Sequence, residues 1–206
     1  MNKRITELNE QIKALENEVM AEVQRIRIHT YEIRDRTIHF EEDVKQRNKA
    51  QLVRALTYLR TSKLKHIAIS PVIWLCVIPA VLMDLTVSLY QAVCFPVYGI
   101  PKARRSDYIV IDRHYLGYLN VIEKLNCLYC SYFNGLMSYV REVAGRTEQY
   151  WCPIKHAVQL KSKHSRYDRF AEYGDGAEYR QQQPGLRKDF GDLQRDKTPP
   201  DEGSSP

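Results

Sequence analysis

Four side chains in the second half of the chain have the types and spacing of a metal site. Cys127-Leu128-Tyr129-Cys130 is a C-x2-C pair and Cys152-Pro153-Ile154-Lys155-His156 is a C-x3-H pair, with the segment from Ser131 to Trp151 between them. Zinc takes four tetrahedral nitrogen or sulfur ligands, commonly as two short-spaced pairs on either side of a loop. On a helix, cysteines at i,i+3 share a face, as do Cys and His at i,i+4. Cys127, Cys130, Cys152 and His156 therefore predict a Cys3His site. Zinc comes first, with an iron–sulfur cluster as the alternative, because Cys followed by Pro also occurs at cluster ligands. Thiol redox chemistry competes: the C-x2-C spacing suits it, and a helix starting at Pro153 would activate Cys152. No βαβ pattern of the thioredoxin type surrounds the pair, however. The third reading is plain packing, with the cysteines acting as small buried hydrophobes.

The metal site needs a particular fold. If residues 113–160 turned back only at Gly145, Cys130 would lie about four helical turns before the bend and Cys152 about two after it. That mismatch is about 12 Å at ~1.5 Å per residue. An earlier break at Asn134-Gly135, a strong stop signal, brings the pairs together. The expected elements are a helix from about Arg113 to Phe133 capped by Asp112, a second over Leu136–Ala144, and a third from Pro153. Glu123 and Asn134 fall on the cysteine stripe as second-layer partners or as a polar helix edge. Lys155 is placed to stabilise thiolates or to face solvent, and His114 lies too far along the helix for a ligand.

The elements before this module are of other kinds. The first Pro is Pro71 and the first Gly is Gly99, so the chain runs from Met1 to Ser70 without a breaker. Ile5, Leu8, Ile12, Leu15, Val19 and Ile26 keep a/d spacing, interrupted by Glu22, and predict a self-associating coiled coil. The pattern loosens through Ile33, Ile38, Phe40, Val44, Leu52, Leu56 and Leu59, consistent with one bent helix to Lys65 or with two helices. Residues 67–100 are apolar, with Asp84 the only ionisable side chain besides Tyr and Cys. As one helix they would run ~51 Å, well beyond the ~30 Å hydrocarbon core. A split at Asp84 predicts a membrane-inserted hairpin with Asp84 at its tip. Cys76 and Cys94 pack within it, and Trp74, Tyr90 and Tyr98 suit an interfacial belt. From His164 onward the Gly- and Pro-rich chain reads as a disordered tail.

The fold class expected is thus mainly α, in four parts: a long helix or coiled coil over 1–66, a membrane hairpin or span over 67–100, a Cys3His helical module over 101–163, and a disordered tail over 164–206. The net charge of +6 is spread thinly, which argues against a nucleic-acid footprint. It clusters beside the apolar run instead. Arg54, Arg60, Lys63 and Lys65 precede it, and Lys102, Arg104 and Arg105 follow it, as suits an anionic membrane surface. Five cysteines, an odd count, and no apolar stretch within Met1–Glu22 argue against a secreted disulfide framework. No Ser-His-Asp arrangement, P-loop, GxGxxG, HExxH or paired-carboxylate signature stands out.

The stretches Tyr118–Asn120, Glu123–Cys130 and Glu148–Ala157, the last containing WCPIKHA, resemble a group of uncharacterised bacterial membrane-associated proteins. The resemblance covers roughly residues 67–160 and implies a bacterial origin; it brings no activity with it. Together these readings predict an inner-membrane protein with cytoplasmic soluble parts, a metal-stapled adaptor that assembles through its coiled coil and serves another membrane protein. The alternative is a membrane thiol-redox or iron–sulfur electron-transfer subunit.

Overall fold

The computed structural model describes residues 3–28, 31–34, 37–61 and 63–195 of a mainly helical chain. The described residues divide into two compact units, Met1–Lys63 with Ile111–Leu128, and Leu64–Val110 with Tyr129–Pro206.

In the first unit, helix α1 (Lys3–Ile28) carries the predicted heptads and leaves Leu8, Ile12, Leu15 and Val19 between 49% and 61% exposed. The side chains of Ile5 and Ile26 lie outside the described part. The helix does not continue to Lys65. Where the heptads loosen, strands β1 (Tyr31–Arg34) and β2 (Thr37–Phe40) pair antiparallel, with Tyr31 opposite Phe40 and Ile33 opposite Ile38. Tyr31, Ile33, Thr37, Ile38 and Phe40 are β-branched or aromatic, and such side chains fit a pleated ladder better than a helix. Helices α2 (Glu42–Ala50) and α3 (Ala55–Thr61) follow. Glu42 and Asp43 sit in the first turn of α2 and Arg47 and Lys49 in its last, each matched to the helix dipole.

In the second unit, α4 (Leu64–Leu75) and α5 (Val77–Tyr98) form an almost continuous apolar rod. The single interruption at Cys76 has a simple origin: Pro79 has no N–H to give the Leu75 carbonyl four residues back, and its ring crowds that carbonyl. The predicted reversal at Asp84 is absent, because Met83-Asp84-Leu85 contains neither Gly nor Pro and the ladder runs straight through it. The helix ends at Gly99, whose φ of +68° is the left-handed cap conformation, with the Ile100 N–H bonded to the Phe95 carbonyl at 2.9 Å.

After the short helix α6 (Arg105–Tyr108) comes α7 (Val121–Trp151), 31 residues without a break. Its start is set by Asn120, not Asp112: the Asn120 Oδ1 accepts from the Ile122 and Glu123 N–H groups at 3.0 and 3.1 Å, and the Glu123 carboxylate accepts from the Asn120 N–H at 2.9 Å. Neither Asn134-Gly135 nor Gly145 stops the helix. Both glycines are buried, and a Cβ on Gly135 would lie 2.7 Å from the Tyr108 carbonyl oxygen and 2.8 Å from the Ile109 Cα. Gly135 is there so that a second backbone can cross the helix, and the stop signal was a contact signal.

Residues 164–195 are folded, against the expectation of a disordered tail. A 3-10 turn at Tyr167–Arg169, helix α8 (Gly176–Leu186) and helix α9 (Asp192–Arg195) follow α7, and Arg166, Phe170 and Phe190 are buried. Phe190 joins Ala80, Phe95, Ile100, Leu136, Tyr139 and Val143 in the core. The predicted third helix from Pro153 is replaced by an extended stretch in which Ile154 bridges Ala171. Residues 196–206 lie outside the described residues.

Glycine gives a direct test of this packing. Ala for Gly in an open helix normally gains about 0.5–1 kcal/mol. At Gly135 the new methyl group has to displace backbone, so Gly135→Ala is expected to cost about 1–3 kcal/mol. Gly185→Ala in α8, with open space around it, is expected to be neutral or stabilising. Thermal unfolding in mild detergent, followed by circular dichroism, compares the two.

Candidate functional site

The four predicted ligands are not brought together. Cys130 sits on α7 and Cys152 just beyond its end, about six helical turns and ~33 Å away along a straight helix. Cys127 lies one turn farther still. Cys152 and His156 do not share a helical face, because the segment between them is extended. The His156 N–H donates to the Tyr167 hydroxyl at 2.7 Å, its ring stacks on Tyr167, and Lys155 pairs with Glu172 at 2.6 Å. All five cysteines are free thiols, and among the described residues no three His, Cys, Asp or Glu side chains are grouped to hold a metal. Among the described residues the Cys3His grouping is not assembled, because it required a break at Gly135 that α7 does not make. Glu123 serves the helix cap, and Asn134 bonds the Cys130 carbonyl at 2.9 Å.

The polar chemistry of the second unit lies behind α5. Along this helix Ala80, Asp84, Ser88, Gln91 and Phe95 follow one another at three- and four-residue steps and turn inward, whereas Ile78, Leu82, Leu85, Leu89, Val93 and Val97 form the opposite, exposed stripe. Asp84 is 8% exposed. Arg105 grips it with two nitrogens, Nε at 3.0 and 3.2 Å and Nη2 at 2.6 Å. The Tyr132 hydroxyl donates at 3.0 Å and the Ser88 hydroxyl at 3.3 Å. Burial, reinforced by the bond to Asp84, holds the Tyr132 phenol above its ordinary range, so it remains a donor. Two turns on, Gln91 treats the Ala103 backbone as a strand would: its Oε1 accepts from the Ala103 N–H at 2.7 Å, and its Nε2 donates to the Ala103 carbonyl at 3.1 Å and to Tyr139 at 3.0 Å.

A second network surrounds the C-terminal half of α7. Arg146 donates to Glu142 at 2.8 Å and to the Pro101 carbonyl at 2.8 Å, and Ser165 donates to the other Glu142 oxygen at 2.7 Å. Arg166, 1% exposed, reaches Gln149 at 2.6 Å, Asp192 at 2.5 and 3.2 Å, and the Asp189 carbonyl at 2.8 Å. Between these groups and residues 101–108 lies a cavity of about 360 Å³. Sequence reading passed over Arg146, Arg166 and Gln149 entirely. The available signal was Glu142 and Arg146 at i,i+4, which reads equally well as a solvated helix edge.

Two consequences are measurable. Removing Arg105 alone strands a buried carboxylate, so Arg105→Met is expected to destabilise by about 1–3 kcal/mol, and the double change Asp84→Leu/Arg105→Met by less. Denaturant unfolding of the three proteins in micelles checks the order. For Asp192, burial pulls upward, but the bonds and charges of Arg166 and Arg169 outweigh it and hold the carboxyl below its usual range. A depressed folded-state pKa contributes stability above the unfolded value near 4, lost as pH falls through the folded one. The loss of thermal stability between about pH 4 and 2 is therefore expected to shrink in Asp192→Asn, as read by unfolding midpoints over that range.

No family model matches this chain, and neither a curated protein nor a solved structure matches it.

Proposed function

We propose that this chain is a membrane-anchored helical assembly protein, with α4 and α5 lying in the plane of one leaflet and both ends on the same side. A bacterial inner membrane with the soluble parts in the cytoplasm is the proposed setting. The observation that carries the reading is the two-faced character of α5. Its outer stripe of Ile78, Leu82, Leu85, Leu89, Val93 and Val97 is apolar and more than half exposed, and α4 continues it with Val72 and Leu75. Moving six such side chains from water into hydrocarbon gains roughly 10 kcal/mol. By length alone the rod is also a candidate span: α5 has 22 residues, about 33 Å. Against spanning stands α7, packed along its back, whose outer side carries Asn134, Ser138 and Arg141, all exposed. Hydrocarbon on that side would strand them. An in-plane seat gives the apolar stripe of α5 to lipid and the outer side of α7 to water. It also places the basic flanks Lys63–Lys65 and Lys102–Arg105 together at one anionic surface.

Assembly rests on α1. Its seam of Leu8, Ile12, Leu15 and Val19 is exposed in the single chain, and heptads of this kind bury themselves against a second helix. The role is that of an adaptor for another membrane protein.

The test uses sealed, inside-out membrane vesicles. The protein is expected to pellet with them in high salt and to be released by detergent. Externally added trypsin is expected to cut near both Lys63 and Lys102. Cleavage at one flank only would establish a span, and recovery in the supernatant would end the membrane reading. Leu82→Asp/Leu89→Asp is expected to release the protein, whereas Leu8→Glu/Leu15→Glu is expected to stay membrane-bound and lose chemical cross-linking between copies.

A further inference from the structure

The cavity lined by the chain that folds back after Gly99 has a wall whose charges do not cancel. Four cations line it, Lys102, Arg104, Arg146 and Arg166, against three carboxylates, Asp107, Glu142 and Asp192. Two of those carboxylates are spent. Arg146 and Ser165 take the two oxygens of Glu142, and Arg166 and Arg169 share Asp192. Asp107 alone remains to answer Lys102 and Arg104, and among the described residues no ion pair joins it to either; its carboxylate accepts only from Ser106, at 3.4 Å.

The backbone between these two cations is held in place. Ala103 stands between them, 5% exposed, with both its N–H and its carbonyl clamped by Gln91 of α5. The residues on either side, Lys102 and Arg104, are exposed. The same wall presents the Tyr108 hydroxyl, which burial and then the Glu142 carboxylate keep protonated and hence a donor. A pair of cations on a clamped backbone, beside a phenol donor and a guanidinium edge, is the equipment for a phosphate group. The location selects its source. The chain that carries Lys102 and Arg104 folds back from Gly99 along α5, with Ala103 bonded to Gln91 and Arg105 to Asp84, so in the in-plane seat both cations lie beside the helix at headgroup depth.

We infer that the cavity lined by Lys102, Arg104 and Tyr108 binds the phosphate of an anionic membrane lipid. The inference rests on the membrane seat proposed above and gives that seat a lipid preference. Occupancy would tie the 99–108 segment, and through Gln91 the end of α5, to the headgroup layer.

The experiment is a thermal unfolding series on the full chain in a neutral sugar detergent, titrated with phosphatidylglycerol, phosphatidylcholine, or inorganic phosphate with glycerol 3-phosphate. Saturating phosphatidylglycerol is expected to raise the midpoint by about 5 °C, and phosphatidylcholine by much less. The rise is expected to vanish in Lys102→Gln/Arg104→Gln, to return in the charge-preserving Lys102→Arg/Arg104→Lys, and to persist in Lys63→Gln/Lys65→Gln at the other flank. An equal loss in both Gln pairs would overturn the site in favour of diffuse surface charge. An equal rise with the soluble phosphates would overturn the lipid as its source, and no rise with any would overturn the site outright. Flotation of the wild-type chain with phosphatidylcholine vesicles separates the two failures. A chain that floats but shows no lipid preference has lost only the headgroup site, and one that does not float has lost the seat itself.

Discussion

A carboxylate set in the middle of an apolar helix has to be answered by the protein, because neither lipid nor packed hydrocarbon can solvate it. Asp84 imposes that demand on α5, and the second unit is arranged to meet it. Arg105 arrives from the chain that folds back after Gly99, Tyr132 from α7, and Ser88 from the next turn of α5 itself, so that four bonds shorter than 3.3 Å and one at 3.3 Å converge on two oxygens. Once α6 and α7 are drawn to that point, Gln91 fixes Ala103 and Tyr139 farther along the same face. Polar pairing of this kind contributes little net stability, since desolvation offsets most of it. What it supplies is register: an apolar interface alone would let α7 slide along α5, and a stranded carboxylate would not.

The same demand accounts for what covers the helices. With its polar stripe turned inward, α5 keeps mostly apolar side chains for the outside, Thr86 being the exception with its hydroxyl bonded to the Leu82 carbonyl, the reverse of an ordinary soluble helix. α7 is the complement, and at its C-terminal half it gathers a network around Glu142, Arg146 and Arg166. These charges are close to fully buried and fully paired. Gly135 and Gly145 let neighbouring chain approach closely enough to close that network: Gly135 admits the Tyr108–Ile109 backbone, and Gly145 the ring of His164, whose Nδ1 would lie 2.6 Å from an added Cβ.

What could be read from the sequence was periodic; what could not depended on a partner distant along the chain. The heptads of α1 and the apolar run over 67–100 repeat at intervals a helix imposes locally, and both elements formed. The heptad reading overran at Tyr31, where alternation of β-branched and aromatic residues won over helical spacing. Asn134-Gly135 was misread because a glycine demanded by a crossing backbone is spelled the same way as one demanded by a helix cap. The grouping of Cys127, Cys130, Cys152 and His156 depended on that stop, since without the turn Cys130 and Cys152 lie tens of ångströms apart along α7. The segment after His164 looked like a tail by composition. Its few anchors, Arg166, Phe170 and Phe190, are too sparse to raise the average, yet each is buried. Asp84 was noticed but placed at a turn, because Arg105 and Tyr132 lie 21 and 48 residues away.

In place of the hairpin expected at Asp84 the helix runs straight through, and the reason bears on how an apolar run should be weighed. Basic clusters on both flanks need a common anionic surface, and a hairpin satisfies that need by turning back within the bilayer. A helix that never turns back satisfies it as well if it lies flat, provided one side is apolar and the other is covered. Hydropathy averaged along the chain cannot separate these cases, because it sums over both faces of the helix. The angular distribution can: in α5 the polar side chains Asp84, Ser88 and Gln91 fall on one stripe with a second helix against it, and the exposed Thr86 outside that stripe spends its hydroxyl on the Leu82 carbonyl at 2.7 Å. A lone spanning helix has lipid on all sides and no use for such segregation, and a buried soluble helix has no use for an exposed apolar stripe. The arrangement suits the boundary between lipid and water, where each face of the pair meets its own solvent.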